Sequence, residues 1–341
     1  MRYIGSKGAL LSNIGQIVQQ NANDDAKVFC DIFAGSGTVG RAFKPQYEII
    51  SNDLMYFSYV LQRASIGINE VPTFESLMPG GAVAVLDWLN NMEPMRDDSE
   101  HFILRNYSPA STAQRMYFTE SNARKIDDIR ITIENWHNER KLNSDEYFYL
   151  LASLIEAVPF VSNTTGTYGA YLKKWDSRAH KRLMLEPLQL IDNGVRNHCY
   201  NSDANQLIRE IEGDILYIDP PYNERQYAPN YHLLETIARY DNPDITGVTG
   251  MRPYSDQKSD YCSKKSVYRA LYELIEEAKF KSIVLSYSSD GILAADEILE
   301  IYSRFCTKES IKKIDISYRK YKSRIYNNDG VSEYLFCGNK E

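Results

Sequence analysis

A short apolar run, Val28-Phe29-Cys30-Asp31-Ile32-Phe33, enters Ala34-Gly35-Ser36-Gly37-Thr38-Val39-Gly40 and then Arg41-Ala42-Phe43. This is the feature that most restricts the fold. An apolar run too short for a helix, closed by spaced glycines and followed by helix-compatible residues, is a strand, a tight turn and a helix start. A second run, Tyr47 to Ser51, ends in Asn52-Asp53 and precedes a helical stretch from Phe57 to Ala64. Two βα units in succession predict a parallel sheet with helices on its faces, a Rossmann-like α/β core. Gly35, Gly37 and Gly40 spell GxGxxG, and Asp53 lies 53 − 35 = 18 residues on. Such glycines let backbone approach a nucleotide closely, and the carboxylate accepts hydrogen bonds from ribose hydroxyls.

The same grammar returns late in the chain. Asp214 to Asp219 and Ser282 to Tyr287 read as buried strands, with helical periodicity from Ser266 to Ala278 between them. Ile314 to Tyr321 and Val331 to Cys337 read as a closing antiparallel hairpin across Asn327-Asn328-Asp329-Gly330. Residues 67–194 break the pattern: polar helices, prolines and a helical Glu146 to Val158, but no strand–glycine–helix unit. The predicted organisation is a catalytic domain of residues 1–66 and 195–341, carrying an inserted, mostly helical domain of residues 67–194.

The glycine fingerprint alone suits a dinucleotide or S-adenosylmethionine, since both carry an adenosine ribose. Asp31, just before the loop, disfavours a pyrophosphate and favours the ammonium and sulfonium of S-adenosylmethionine. No GxxxxGK[ST] loop occurs. The strand 214–218 runs directly into Asp219-Pro220-Pro221-Tyr222. Open α/β sheets bind ligands beyond the carboxyl ends of their strands, so this tetrad stands in a catalytic position. The prolines stiffen the loop and remove two donors, leaving acceptors in the Asp219 carboxylate and the Pro220 carbonyl, with Tyr222 as an aromatic face. Acceptors beside a stacking surface suit a planar base bearing an exocyclic amine. Carbon methylation of cytosine would call for a Pro-Cys nucleophile, and the chain has no Pro-Cys pair.

Phe33-Ala34-Gly35-Ser36-Gly37, Asp219-Pro220-Pro221-Tyr222 and the opening Arg2-Tyr3-Ile4-Gly5-Ser6-Lys7 resemble, in order and content, the motifs of the Dam-like, alpha-group DNA adenine-N6 methyltransferases. The resemblance covers about residues 1–66 and 195–341. It implies an S-adenosylmethionine methyltransferase sheet and a site-specific DNA-methyltransferase (adenine-specific) activity in a restriction–modification setting. It also implies that Tyr3 and Lys7 touch the cofactor, that Asp53 ends the second strand as the family's acidic residue, and that Asp203 holds the cofactor's adenine amine. With Asp31, Phe33, Ala34, Gly35, Gly37 and Asp219, these form the expected cofactor site. Asn163 to Tyr171 bears only a loose likeness to the family's recognition domains.

Net charge is −7, so any affinity for double-stranded DNA must come from local clusters. Lys173 to Arg182 holds five Lys or Arg against one Asp, and Lys312 to Arg324 six against one. Lys173, Lys174, Arg178, Lys320 and Lys322 are the expected phosphate contacts, Arg225 beyond the tetrad is a further one, and Tyr168, Tyr171 and Trp175 are candidates to stack on bases. Five dispersed cysteines without a CxxC pair, no metal-spaced histidines and no long apolar run point to a cytoplasmic protein with neither disulfides, metal nor membrane span. The partner expected beyond DNA is a cognate restriction endonuclease. The rivals are an RNA or cytosine-N4 methyltransferase, a non-catalytic nucleotide-sensing DNA-binding protein, and a nicotinamide oxidoreductase.

Overall fold

The computed structural model describes residues 7–110, 112–317 and 332–340. Its strands are β1 (Val28–Asp31), β2 (Glu48–Asn52), β3 (His198–Tyr200), β4 (Glu212–Ile218), β5 (Lys279–Ser288), β6 (Lys312–Ser317) and β7 (Ser332–Asn339). They form one sheet in the order β3-β2-β1-β4-β5-β7-β6. The first five are parallel, while β7 runs antiparallel to both β5 and β6. This is the Rossmann-like methyltransferase sheet with its closing hairpin. The turn Asn327 to Gly330 lies outside the described residues. The helices, in chain order, are α1 (Leu11–Asn21), α2 (Thr38–Phe43), α3 (Tyr56–Gln62), α4 (Gly81–Asn91), α5 (Phe102–Tyr107), α6 (Glu120–Asn138), α7 (Ser144–Ala157), α8 (Ala204–Leu207), α9 (Ala228–Arg239), α10 (Val267–Glu277) and α11 (Ala295–Phe305).

By compactness the described residues divide into a sheet unit, within Lys7–Leu54, Val195–Tyr227 and Gln257–Glu341, and a helical unit, within Met55–Gly194 and Ala228–Asp256. In the sheet unit, Phe29 and Cys30, Ile49 and Ile50, Ile215 to Ile218 and Ile283 to Leu285 are buried, the continuous apolar runs that strands need when both faces are covered. Val267, Ala270, Leu271, Leu274 and Ile275 give α10 one apolar stripe, which joins Ile298, Ile301 and Tyr302 of α11 in the core under β4 and β5.

The order of the sheet sets the site. From β1 the chain builds outward to β2 and β3, then returns to the other side of β1 with β4, so the winding reverses between β1 and β4. Asp31 pairs in register with Tyr217, which brings the carboxyl ends of these two strands side by side at the switch point.

The helical unit has its own local logic. A capping box opens α7: Asn143 Oδ1 accepts from the Glu146 N–H at 3.0 Å, and Glu146 Oε2 accepts from the Asn143 N–H at 2.9 Å. The other Glu146 oxygen accepts from the Phe74 N–H, tying down a distant loop. Helix α9 belongs here because Glu235 accepts from the N–H groups of Tyr56 and Phe57 at the start of α3, and Tyr231 packs against Phe57. The buried Arg130 guanidinium donates to the carbonyls of Ile237 and Ala238, answering the open end of α9. Among the described residues, no helix is long and apolar enough to cross a membrane.

Candidate active site

The glycine turn is built from its own backbone. Ala34 N–H donates to the Asn52 carbonyl at 2.9 Å, Gly37 N–H to the Ala34 carbonyl at 2.8 Å, and Gly35 and Gly37 sit at φ 52° and 76°, a region that suits residues without a Cβ. Gly35 N–H donates to Asp53 Oδ2 at 2.9 Å, and Gly40 N–H to Asp31 Oδ2 at 3.2 Å. Phe33 stands edge-on to Tyr261 with ring centroids 5.0 Å apart.

Asp31 is 1% exposed, and its second oxygen, Oδ1, has no hydrogen-bond partner among the described residues. Burial first, then the charges of Asp219 and Asp53, push its carboxyl well above the ordinary carboxylate range, against the pull of the Gly40 N–H. Such a group fits a positively charged donor.

Asp219 lies two residues beyond Tyr217, at the exit of β4. Lys7 Nζ approaches its Oδ1 at 3.1 Å and Glu333 Oε1 at 2.7 Å. With 18% of its side chain exposed, Asp219 remains reachable. Burial lifts its carboxyl to about 6, Lys7 opposes the lift and Glu333 adds to it. Pro220 is buried, and the Tyr222 carbonyl accepts from the Ile292 N–H at 2.8 Å while its ring meets Tyr287 edge-on at 6.5 Å. The tetrad is thus braced by the loop after β5.

The structure disperses some of the expected residues. Lys7, given to the cofactor by the resemblance, has its ammonium between Asp219 and Glu333. Asp203 uses Oδ1 to cap α8, accepting from the N–H groups of Asn205 and Gln206. Gln226 exchanges two hydrogen bonds with the Ser259 backbone, and Arg225 is exposed. In the helical unit Lys173 and Lys174 are exposed, whereas Arg178 forks onto Asp176 at 3.0 and 3.1 Å and also donates to the Thr164 carbonyl. Tyr168, expected to stack on bases, is 3% exposed, with its hydroxyl against Ser162, so burial keeps that ring from a base. Tyr171 packs on Tyr117 and Trp175 on His180. Tyr3, Lys320 and Lys322 lie outside the described residues.

Two site residues were missed. Asn52 donates to the carbonyls of Ile32 and Ser202 and accepts from the Ser202 N–H, joining the strand exits of β1, β2 and β3. Glu333 interrupts the apolar pattern of the last strand, the one signal that marked it.

Sheet order, glycine turn and acidic strand exits together define a Rossmann-like α/β protein of the methyltransferase type. The model of the D12 class N6 adenine-specific DNA methyltransferases matches residues 3–316, and the chain belongs to that family. It is 50% identical along its whole length to the Type II methyltransferase M.FokI of Planomicrobium okeanokoites, covering 53% of that protein. Against the modification methylase StsI of Streptococcus sanguinis it is 42% identical over 98% of this chain and 51% of the relative. The chain therefore spans about half the length of these relatives. The Type II methyltransferase M.NlaIII of Neisseria lactamica is matched at 41% identity over 98% of both chains.

Proposed function

We propose that this chain is a cytoplasmic, site-specific DNA adenine-N6 methyltransferase that uses S-adenosylmethionine, serves a type II restriction–modification system and protects DNA from a cognate endonuclease. The observation that carries the reading is the pair of acidic strand exits at the switch point: Asp31 with an unanswered buried oxygen at the end of β1, and the reachable Asp219 at the exit of neighbouring β4. Membership of the family supports the substrate.

The residues fit the cofactor. Asp31 Oδ1 would accept from its ammonium, Asp53 and the glycine turn would hold its ribose, and Phe33, Asp203, Lys7 and Tyr3 complete the expected set. When bound, S-adenosylmethionine supplies a methyl group on a sulfonium, an electrophile that needs no covalent enzyme intermediate. The chain's task is to prepare the amine. An adenine amine is a poor nucleophile because its lone pair is delocalised into the ring. Asp219 and the Pro220 carbonyl each accept a hydrogen bond from its N–H groups, favouring a pyramidal nitrogen with an available lone pair, Tyr222 stacks on the base, and the proton that the methylated amine sheds leaves along the hydrogen bond to Asp219. Above pH about 6 the Asp219 carboxyl is ionised and acts purely as an acceptor. Extruding a base costs a few kcal/mol, which a stack worth about 1–3 kcal/mol largely offsets.

Residues 67–194 are proposed to carry target recognition, with Lys173 and Lys174 placed to meet phosphates. Arg225, Lys320 and Lys322 remain in the proposed set, and Arg178 would first have to leave Asp176. Incubation with labelled S-adenosylmethionine and separate DNA and RNA pools, followed by nucleoside analysis, tests the reading. N6-methyladenine in DNA is expected; label in RNA or in N4-methylcytosine would overturn it.

A further inference from the structure

The ion-pair cluster at the tetrad contains one carboxylate more than pairing requires. Lys7 already has Asp219 as a partner, yet Glu333 on β7 presents a second carboxylate to the same ammonium, at 2.7 Å against 3.1 Å. Glu333 is held there on purpose-built geometry: it lies opposite Ser288 of β5 in register, is 6% exposed, and its Oε1 also accepts from Ser286 Oγ at 2.7 Å. A buried surplus negative charge costs stability, because desolvation penalises every ion that is not fully compensated, so its retention calls for a role.

We propose that Glu333 is a positioning residue for the transfer step: by sharing the Lys7 ammonium with Asp219, it keeps that cation from neutralising Asp219 and so preserves Asp219 as a strong hydrogen-bond acceptor for the substrate amine. This rests on the adenine-N6 reading above. A carboxylate held by a dedicated ammonium has much of its acceptor strength already spent, while one that shares the ammonium with a competitor keeps more for a third partner. Direct repulsion from Glu333 acts in the same direction on Asp219. Among the described residues, the charged and titratable groups bearing on Asp219 are Lys7 ahead of α1, Asp31 at the end of β1, Tyr217 on β4 and Glu333 on β7.

The test uses the full chain and two substitutions with opposite expected signs. Glu333→Gln keeps an oxygen that accepts from Lys7 and Ser286 but removes the charge, so the positive charge of Lys7 is compensated by Asp219 alone. Ser286→Ala deprives Glu333 of its second donor, so Glu333 draws Lys7 more strongly. Carboxyl 13C NMR, with the Asp219 signal assigned by its loss in Asp219→Asn, should show the Asp219 midpoint falling by about half a pH unit or more in Glu333→Gln and rising in Ser286→Ala. The acid limb of kcat should move with it, and kcat at pH 8 should fall about three- to tenfold in Glu333→Gln with KM for DNA and S-adenosylmethionine unchanged. Midpoints that stay in place in both folded variants, or a Glu333→Gln loss that lies in KM alone, overturn the charge sharing. Should one variant fail to fold, the sign of the shift in the other decides. A wild-type protein that titrates as stated yet makes no N6-methyladenine overturns the functional reading instead.

Discussion

Asp219 meets two opposing demands. On the proposed reading it must be ionised to accept hydrogen bonds from the substrate amine, but burial raises its carboxyl to about 6 from an ordinary 3.8. Single-turnover methylation should therefore be level above pH about 7 and fall roughly tenfold per pH unit below about 6, read from a pH–rate profile with presaturated enzyme. A slope absent down to pH 5 would contradict the assignment. The same shift has a stability consequence. Because the folded pKa exceeds the unfolded one, the folded state binds this proton more tightly; the stabilisation is complete below about 3.8 and is lost as pH rises through about 6. Asp219→Asn removes that loss while Glu333 still pairs Lys7. It should be inactive but about 1–3 kcal/mol more stable than wild type at pH 8, with the gap closing near pH 4, as measured by urea denaturation. Asp31 offers a parallel case. Burial raises its carboxyl too and leaves one oxygen unanswered, so Asp31→Asn should raise the S-adenosylmethionine Kd about tenfold or more while leaving the unliganded protein more stable than wild type at neutral pH. Calorimetric titration beside thermal unfolding separates the two effects.

At the scale of elements, the candidate site depends on how strand exits are tied to one another. Asn52 is 1% exposed and spends its amide on Ile32 and Ser202, which lie after β1 and β3. Asn52→Ala should cost about 2–3 kcal/mol by leaving buried backbone groups unanswered, and should weaken cofactor affinity more than kcat at saturation. Equal losses in affinity and kcat would show that Asn52 acts on the chemistry itself. The elements also show what could be read in advance. Strands β1, β2, β4 and β5 were legible because strands buried on both faces need unbroken apolar runs, and the glycine turn and proline tetrad mark their exits chemically. Strand β3 was not, since three half-buried residues, His198 to Tyr200, carry too little pattern. Asn52 was visible as a strand end but not as an anchor, because its partners lie 20 and 150 residues away. Lys7 was legible as a motif residue, yet its pairing with Glu333 across 326 residues was not. Nor does the position of α9 between β4 and β5 announce that its partners are α3 and α7, a choice made by Glu235 and Tyr231 through contacts far off in the chain.

For the molecule as a whole, a net charge of −7 means that the proposed DNA affinity must arise from a few well-placed cations working against a repulsive background. Of the described candidates, Arg178 is occupied by Asp176, while Lys173 and Lys174 are exposed on the helical unit, in the segment after Asn163. The buried Asn163 side chain donates to the carbonyls of Met116 and Leu172 and accepts from the Asp176 N–H, fixing both ends of the stretch that carries the two lysines. Cations on a fixed stretch lose less entropy on meeting phosphates than cations on a free one. Each phosphate contact contributes about 0.9 to the slope of log K against log salt concentration. Replacing Lys173 and Lys174 together by Ala should therefore reduce the slope by about 1–2, weaken matched and mismatched duplexes alike, and leave kcat at saturating DNA near wild type. Fluorescence anisotropy over a KCl series reads the slope directly. An unchanged slope would remove these lysines from the DNA interface, and a loss confined to the cognate duplex would assign them to base readout instead of backbone neutralisation.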